Sequence, residues 1–312
     1  MTKTLIAGLA CAMSICAGTA WAQDCEPSPW GADDQLGSAN LVTPERTLEA
    51  LKLVKQGKSV PLGITIDPST PAFPPRSLSL QIVQPGQQGG QRVFGDGVYN
   101  DDILQTWIGI GSQIDGLGHV GEGGMYYNCN DEKEFAQLTG LTKLGTHAIP
   151  PLVGRAVILD MAKQAGKTTL DAGESFGEAE IKAAADAQGV TFAEGDIILF
   201  YTGWTDAKLD SDPAAWGSAE PGINNEGARY VASLKPMAVG ADTWGVEPVP
   251  PAEGDGLFYG HTIFLKQNGV YLLENMNTGP ILQDGVNEFM FVLGQPRIRG
   301  TVQAMINPVA LY

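Results

Sequence analysis

Seven short runs rich in β-branched and aromatic residues, spread along the whole chain, constrain its fold more than any other feature. They are residues 60–66, 78–83, 156–160, 196–201, 237–240, 270–273 and 289–293. Each is long enough for one strand and too short for a globular helix, and Gly, Pro, Asp or Asn lies near most of their ends. Three stretches outside them carry helix signals. Thr43-Pro44 offers a cap residue with proline at the first helical position, and Gly57 closes that helix after Leu48, Leu51, Leu53 and Val54. Ser175-Phe176-Gly177-Glu178 has capping-box spacing for a helix that runs to Gly189. A third helix spans 225–234 and stops before Pro236. The Gly/Gln run 86–91 and the Pro-rich 248–252 read as surface loops. With no internal repeat and no low-complexity linker, the pattern predicts one compact α/β domain with a substantial sheet.

The first residues stand apart from that pattern. Lys3, the apolar stretch 5–17 and the small-x-small site Ala20-Trp21-Ala22 predict a signal peptide over 1–22, leaving 23–312 as the mature domain. No other stretch approaches the ~20 apolar residues of a membrane span. The expectation is an exported, soluble protein, periplasmic in a Gram-negative host or otherwise secreted. Cys11 and Cys16 leave with the signal, so Cys25 and Cys129 remain. In an oxidising compartment the two can pair, but spacing does not show that they meet. A bridge and two free thiols both stay open.

Charge narrows the partners. The net charge is −16, from 19 basic and 35 acidic residues. So acidic a surface argues against nucleic acid and anionic membrane as partners. Solubility alone is also sufficient reason for the charge.

Chemistry concentrates in Gly111-Ser112-Gln113-Ile114-Asp115-Gly116-Leu117-Gly118-His119, where a carboxylate and an imidazole stand four residues apart. The chain has only three histidines. Another, His261, precedes an apolar run that ends at Glu274. Asp115, His119, His261 and Glu274 form an oxygen and nitrogen donor set suited to a divalent metal and to proton transfer. Two mature cysteines are too few for a Cys-rich zinc site. His147, before Pro150-Pro151, reads as a loop residue. Gly109-x-Gly111 lacks the third glycine of a dinucleotide loop. No Gly-x-Ser-x-Gly elbow is present, and Ser112 has no triad. Trp107, Tyr126 and Trp204, with Tyr127 and Trp244, are candidates for an aromatic substrate wall, although core packing explains most such residues.

These residues carry a resemblance. Trp30-Gly31-Ala32-Asp33-Asp34-Gln35-Leu36-Gly37-Ser38-Ala39-Asn40 resembles the opening motif of the metal-dependent cyclase family, which includes kynurenine formamidases and isatin hydrolases. The central His-x-Gly-Thr-His-x-Asp-x-Pro-x-His string of that family aligns with Gly109 to His119. Gly195-Asp196-Ile197-Ile198-Leu199, Thr202-Gly203-Trp204, Gly240-Ala241-Asp242-Thr243, His261-Thr262-Ile263-Phe264-Leu265 and Leu273-Glu274-Asn275-Met276-Asn277 follow in order. Pro296-Arg297-Ile298-Arg299-Gly300 and Pro308-Val309-Ala310 match its C-terminal signature. The departures are Gly109 and Gln113 where the family has histidines, Ser112 for its threonine and Leu117 for its proline. A branch with Thr-Gln-Trp-Asp-x-Leu-x-His is closer to this version.

The resemblance implies a swivelling β/β/α fold, a homodimer or homotetramer, and hydrolysis of an amide, lactam, lactone or ester at zinc or manganese. It implies Asp115, His261 and Glu274 as metal ligands, with Gln113 assisting, and His119 as the general base. Gly109 has no ligating side chain, so one ion is expected rather than two. The other reading is an exported small-molecule binding relative that keeps the pocket and a degenerate metal site without turnover. Retention of all four donors favours the enzyme.

Overall fold

The structure, a computed structural model, describes residues 25–83, 95, 97 and 99–312. The expected signal peptide 1–22 and the loop 86–91 lie outside the described residues. Eleven strands position the site: β1 (Ser59–Pro61), β2 (Leu78–Val83), β3 (Asp101–Thr106), β4 (Gln113–Asp115), β5 (Leu152–Asp160), β6 (Ile197–Tyr201), β7 (Ala238–Ala241), β8 (Tyr271–Glu274), β9 (Glu288–Leu293), β10 (Gln303–Met305) and β11 (Val309–Leu311). Among the described residues, nine of them form one sheet in the order β1-β11-β9-β5-β6-β7-β8-β4-β10. β5, β6, β7 and β8 are parallel, and β4, β9, β10 and β11 join antiparallel. Ile197, Ile198, Leu199 and Phe200 are buried on both faces of the sheet. That explains why β6 reads as a continuous apolar run rather than an alternating one.

Helices α1 (Pro44–Leu51), α2 (Glu178–Gln188) and α3 (Asn225–Ser233) cover the sheet, with α2 packed on α3. Two of them differ at their ends from the sequence expectation. α1 stops six residues before Gly57, and Leu48 and Leu51 are exposed. Without an apolar surface to cover, the last turns have nothing to hold them. The second helix does not start from Ser175, which pairs with Gly222 in a two-stranded ladder; Gly177 is the cap, its N–H donating to Glu180 Oε2 at 2.9 Å. The first strand is also shorter than 60–66: pairing ends at Pro61, and Gly63 turns away to bridge Met276. β2 and β3 pair as a separate hairpin that places Leu80 opposite Leu104, both exposed. Cys25 and Cys129 form a disulfide with Cα atoms 5.3 Å apart, which resolves the open question in favour of the bridge.

Candidate metal centre

Strand register assembles most of the site. β8 pairs with β4 so that Glu274 lies opposite Gln113 and Leu272 opposite Asp115. On the other side of β4, Gln303 of β10 lies opposite Asp115. Opposed residues share a face, as do residues two apart on one strand. Gln113, Asp115, Glu274 and Gln303 therefore project together, and all four are buried. His261 arrives from outside the sheet, at the end of the short helix Tyr259–His261, which continues into the π-helical Thr262–Gln267. Such wide turns are rare and recur at functional sites.

His261 Nε2 lies 3.1 Å from Glu274 Oε1 and 3.4 Å from Asp115 Oδ2. One ligand atom each from Asp115, His261 and Glu274 falls within 4.8 Å of the others, so the three could hold a metal ion. His119 brings Nε2 to 3.6 Å from the same Asp115 oxygen and is partly open to the cavity above. Gln113 is at the cluster, donating from Nε2 to Glu274 Oε2 and, at 3.4 Å, to Asp115 Oδ1. Gln303 Nε2 donates to Asp115 Oδ1 at 2.8 Å.

Glu247 closes the far side of His261. Its two carboxylate oxygens lie 2.8 and 2.9 Å from Nδ1, and the His261 backbone N–H donates to Oε1 at 2.6 Å. This holds the ring with Nδ1 toward Glu247 and Nε2 facing Asp115 and Glu274. Gly260 makes this approach feasible, since a Cβ there would sit 2.6 Å from Glu247 Oε1. Sequence reasoning missed Glu247 and Gln303. Neither has a spacing that marks a ligand, and only strand register and a helix end bring them in.

The donors fit a divalent cation. Asp115, Glu247 and Glu274 are buried around one imidazole, and Asp115 Oδ2 makes no hydrogen bond. Buried negative charge of that kind is costly without a compensating cation, and oxygen donors with one imidazole suit a divalent ion. Protonation reflects the crowding. Burial and the charge of Asp115 push Glu274 up to about 7. Burial would also raise Asp115, but His119, His261 and the Gln303 amide outweigh it and hold it below the usual carboxylate value. His261 is driven well above its ordinary value, because Glu247, Asp115 and Glu274 overcome its burial. Burial depresses His119, against the pull of Asp115 and with help from His261 and Arg76. A depressed imidazole is neutral at neutral pH and ready to accept a proton.

Two cavities meet above the cluster. One, of about 180 Å³, is lined by Phe73, Arg76, Trp244, Phe258, His261 and Glu274. The other, of about 780 Å³, runs past Ser79, Gln105, Trp107, Gly109 and Gln303. Arg76 and His119 line both. Trp107 is thus in the wall of the larger groove. The other two aromatic candidates need correction. Tyr126 packs edge-on against Phe135 and lines a different cavity, with Glu122 and Tyr259. Trp204 is buried, its indole N–H donating to Trp216 O, and it lines neither cavity. The nearer aromatic wall comes from Phe73, Trp244 and Phe258, with ring centroids 5.8 to 6.1 Å apart. His147 is in a 3₁₀ turn beside Arg299, away from the cluster.

The sequence profile of the Cyclase family matches residues 60–248, more than half of the chain. A solved structure described as a novel cyclase is 29% identical, covers 91% of this chain and 98% of its own, and superposes with a TM-score of 0.82. Isatin hydrolase A from Ralstonia solanacearum is 18% identical over 81% of this chain and 91% of its own, with a TM-score of 0.61. A predicted metal-dependent hydrolase from Bacillus stearothermophilus is 18% identical over 81% of this chain and 97% of its own, with a TM-score of 0.54. No curated protein matches significantly. The fold and the sequence profile define a chain of the cyclase type. This protein belongs to the Cyclase family and has its α/β fold.

Proposed function

We propose that this protein is an exported metal-dependent hydrolase that cleaves an amide, lactam, lactone or ester bond of a small molecule, in the manner of an arylformamidase. The observation that carries the reading is the convergence of Asp115, His261 and Glu274 on one point, with His119 Nε2 3.6 Å from Asp115 and facing the cavity. Asp115, His261 and Glu274 would hold one zinc or manganese ion, with Gln113 beside them. Such an ion polarises a carbonyl and lowers the pKa of water toward 7. Glu247 orients the His261 ring. His119, neutral and partly exposed, takes a proton from the attacking water and returns it to the leaving amine or alkoxide. Isatin hydrolases among the structural neighbours support this class of bond.

Two further features belong to the proposal. The Cys25–Cys129 bridge supports an oxidising compartment, hence the periplasm or secretion. The exposed apolar face of the β2–β3 hairpin, with Leu80, Ile82 and Leu104, supports a homodimer or homotetramer.

Elemental mass spectrometry of the purified mature protein, beside Asp115→Ala, tests the centre. We expect about one zinc or manganese per chain, lost in the variant, and hydrolysis of formanilide or isatin that disappears with it. Protein that takes up no metal even after reconstitution would instead be a binding relative without turnover.

A further inference from the structure

The larger groove and the aromatic cavity meet at two residues, His119 and Arg76. The proton-transfer role accounts for His119 and leaves Arg76 unexplained. A tight turn presents it: the Arg76 N–H donates to Phe73 O at 3.1 Å, so one turn delivers both the guanidinium and the Phe73 ring to the cavity. Arg76 Nη1 donates to Gly109 O at 2.7 Å. Position 109 matters here. A Cβ on Gly109 would lie 2.6 Å from Arg76 Nη1 and 2.7 Å from its Cζ, so any side chain there would displace the guanidinium. Where the family string has a histidine, this chain has a glycine whose space a fixed cation fills.

We infer that Arg76 is a carboxylate-recognition residue and that the substrates of this site are aromatic acids, with the ring against Phe73, Trp244 and Phe258 and the carboxylate on the guanidinium. This rests on reading the cavity as the substrate site. Three observations support it. A guanidinium has five N–H donors in a planar fork, enough to hold Gly109 O and grip a carboxylate together. The three rings form a continuous wall beside His261, and the Phe258 ring is 5.8 Å from the His261 ring. The cavity of about 180 Å³ is the size of a single substituted ring, and the larger groove leaves room for an extension past Arg76. In a chain of net charge −16, with buried carboxylates below, an anion needs such a local cation to enter at all.

Calorimetric titration of the mature protein with benzoate and with its neutral analogue benzamide tests the inference without turnover. The titrations use wild type, Arg76→Gln and Arg76→Lys, each before and after EDTA treatment. Wild type should prefer benzoate by roughly tenfold, as a charge-assisted hydrogen bond exceeds a neutral one. The preference should survive EDTA, fall to parity in Arg76→Gln and return in part in Arg76→Lys, whose retained charge also guards against a folding artefact. Equal affinities in wild type, no benzoate binding at tens of millimolar, or a preference that persists in Arg76→Gln would each overturn it. A preference that EDTA abolishes while Arg76→Gln keeps it assigns anion recognition to the metal; the inference then fails and the hydrolase reading stands. An Arg76-dependent preference in a protein that holds no metal and hydrolyses nothing does the opposite: anion recognition by Arg76 stands and the hydrolase reading fails.

Discussion

Two buried carboxylates with different partners illustrate how single residues set the behaviour of this protein. Among the described residues the Glu247 carboxylate hydrogen-bonds only to His261, at Nδ1 and the backbone N–H, so it would act on the proposed metal centre through the imidazole. Removing an orienting partner of that kind lowers metal affinity by about 10–100-fold. Glu247→Ala should therefore lose affinity in a zinc titration, and Glu247→Gln should recover part of it, since the amide oxygen still accepts from Nδ1. Equal affinity in wild type and Glu247→Ala would remove Glu247 from the centre. Asp242 is buried at the end of β7, where Oδ1 accepts from the Thr202 N–H and hydroxyl and Oδ2 has no partner. Burial, only partly offset by Thr202, pushes it up to about 7 from 3.8. A folded-state pKa above the unfolded value means that the folded protein binds the extra proton, so stability falls as pH rises from about 4 through 7. Between pH 5 and 8 the loss from this one group should be roughly 2–3 kcal/mol. Asp242→Asn keeps the Thr202 bonds and should flatten that part of a denaturation-versus-pH profile. An unchanged slope would show that Asp242 does not titrate there.

At the scale of strands and helices, β4 is the critical piece. It is three residues long, with Gln113 and Asp115 on the site face and Ile114, fully buried, on the other. Ile114→Ala should lower unfolding free energy by about 2–4 kcal/mol, a core deletion with little room to collapse. It should retain the metal, because ladders to β8 and β10 fix the backbone of Asp115 from both sides. Simultaneous loss of metal would show that packing under the strand, and not its ladder, positions the ligands. The same strand shows what was legible in the sequence. The long apolar runs that became β5 to β9 were readable within a few residues, because burial on both faces leaves an uninterrupted apolar signal. β4, flanked by glycines and carrying two polar site residues, has no such signal and reads as a loosened loop. Asp115, His119, His261 and Glu274, which the fold brings together, could be picked out by residue type, since histidine is scarce here and the spacing of Asp115 and His119 matches a known string. Glu247, Gln303 and Arg76 were invisible because they depend on register, on a helix terminus and on a turn. The aromatic wall was misplaced for a related reason: Trp204 and Phe73 look alike in sequence, and only the fold puts one in the core and the other in the cavity.

Over the whole molecule, two separate devices fasten distant parts of the chain. The disulfide joins residues 104 apart and ties the segment at Cys25 to the turn that ends at Cys129. Around it, Asn128 Nδ2 donates to the carbonyls of Gly31, Ala32 and Asp34, and the Tyr127 hydroxyl bonds Ser28 and Asp34. The proposed metal centre instead fastens β4, β8 and the helix carrying His261. The two share no residue and no hydrogen-bond partner among the described residues. A bridge closing a loop of this length contributes up to about 5 kcal/mol, chiefly by restricting the unfolded chain. A bound ion contributes according to its concentration relative to its dissociation constant, about 3–4 kcal/mol at 100 to 1,000 times that value. Thermal melts of the mature protein untreated, with EDTA, with a reductant and with both should therefore show two decrements that add closely, as independent sites do. Reduction should leave metal content unchanged. A midpoint indifferent to EDTA would remove the ion from the folded state and with it the basis of the hydrolase reading. A combined loss much smaller than the sum would show that the segment at Cys25 and the metal centre unfold as one unit.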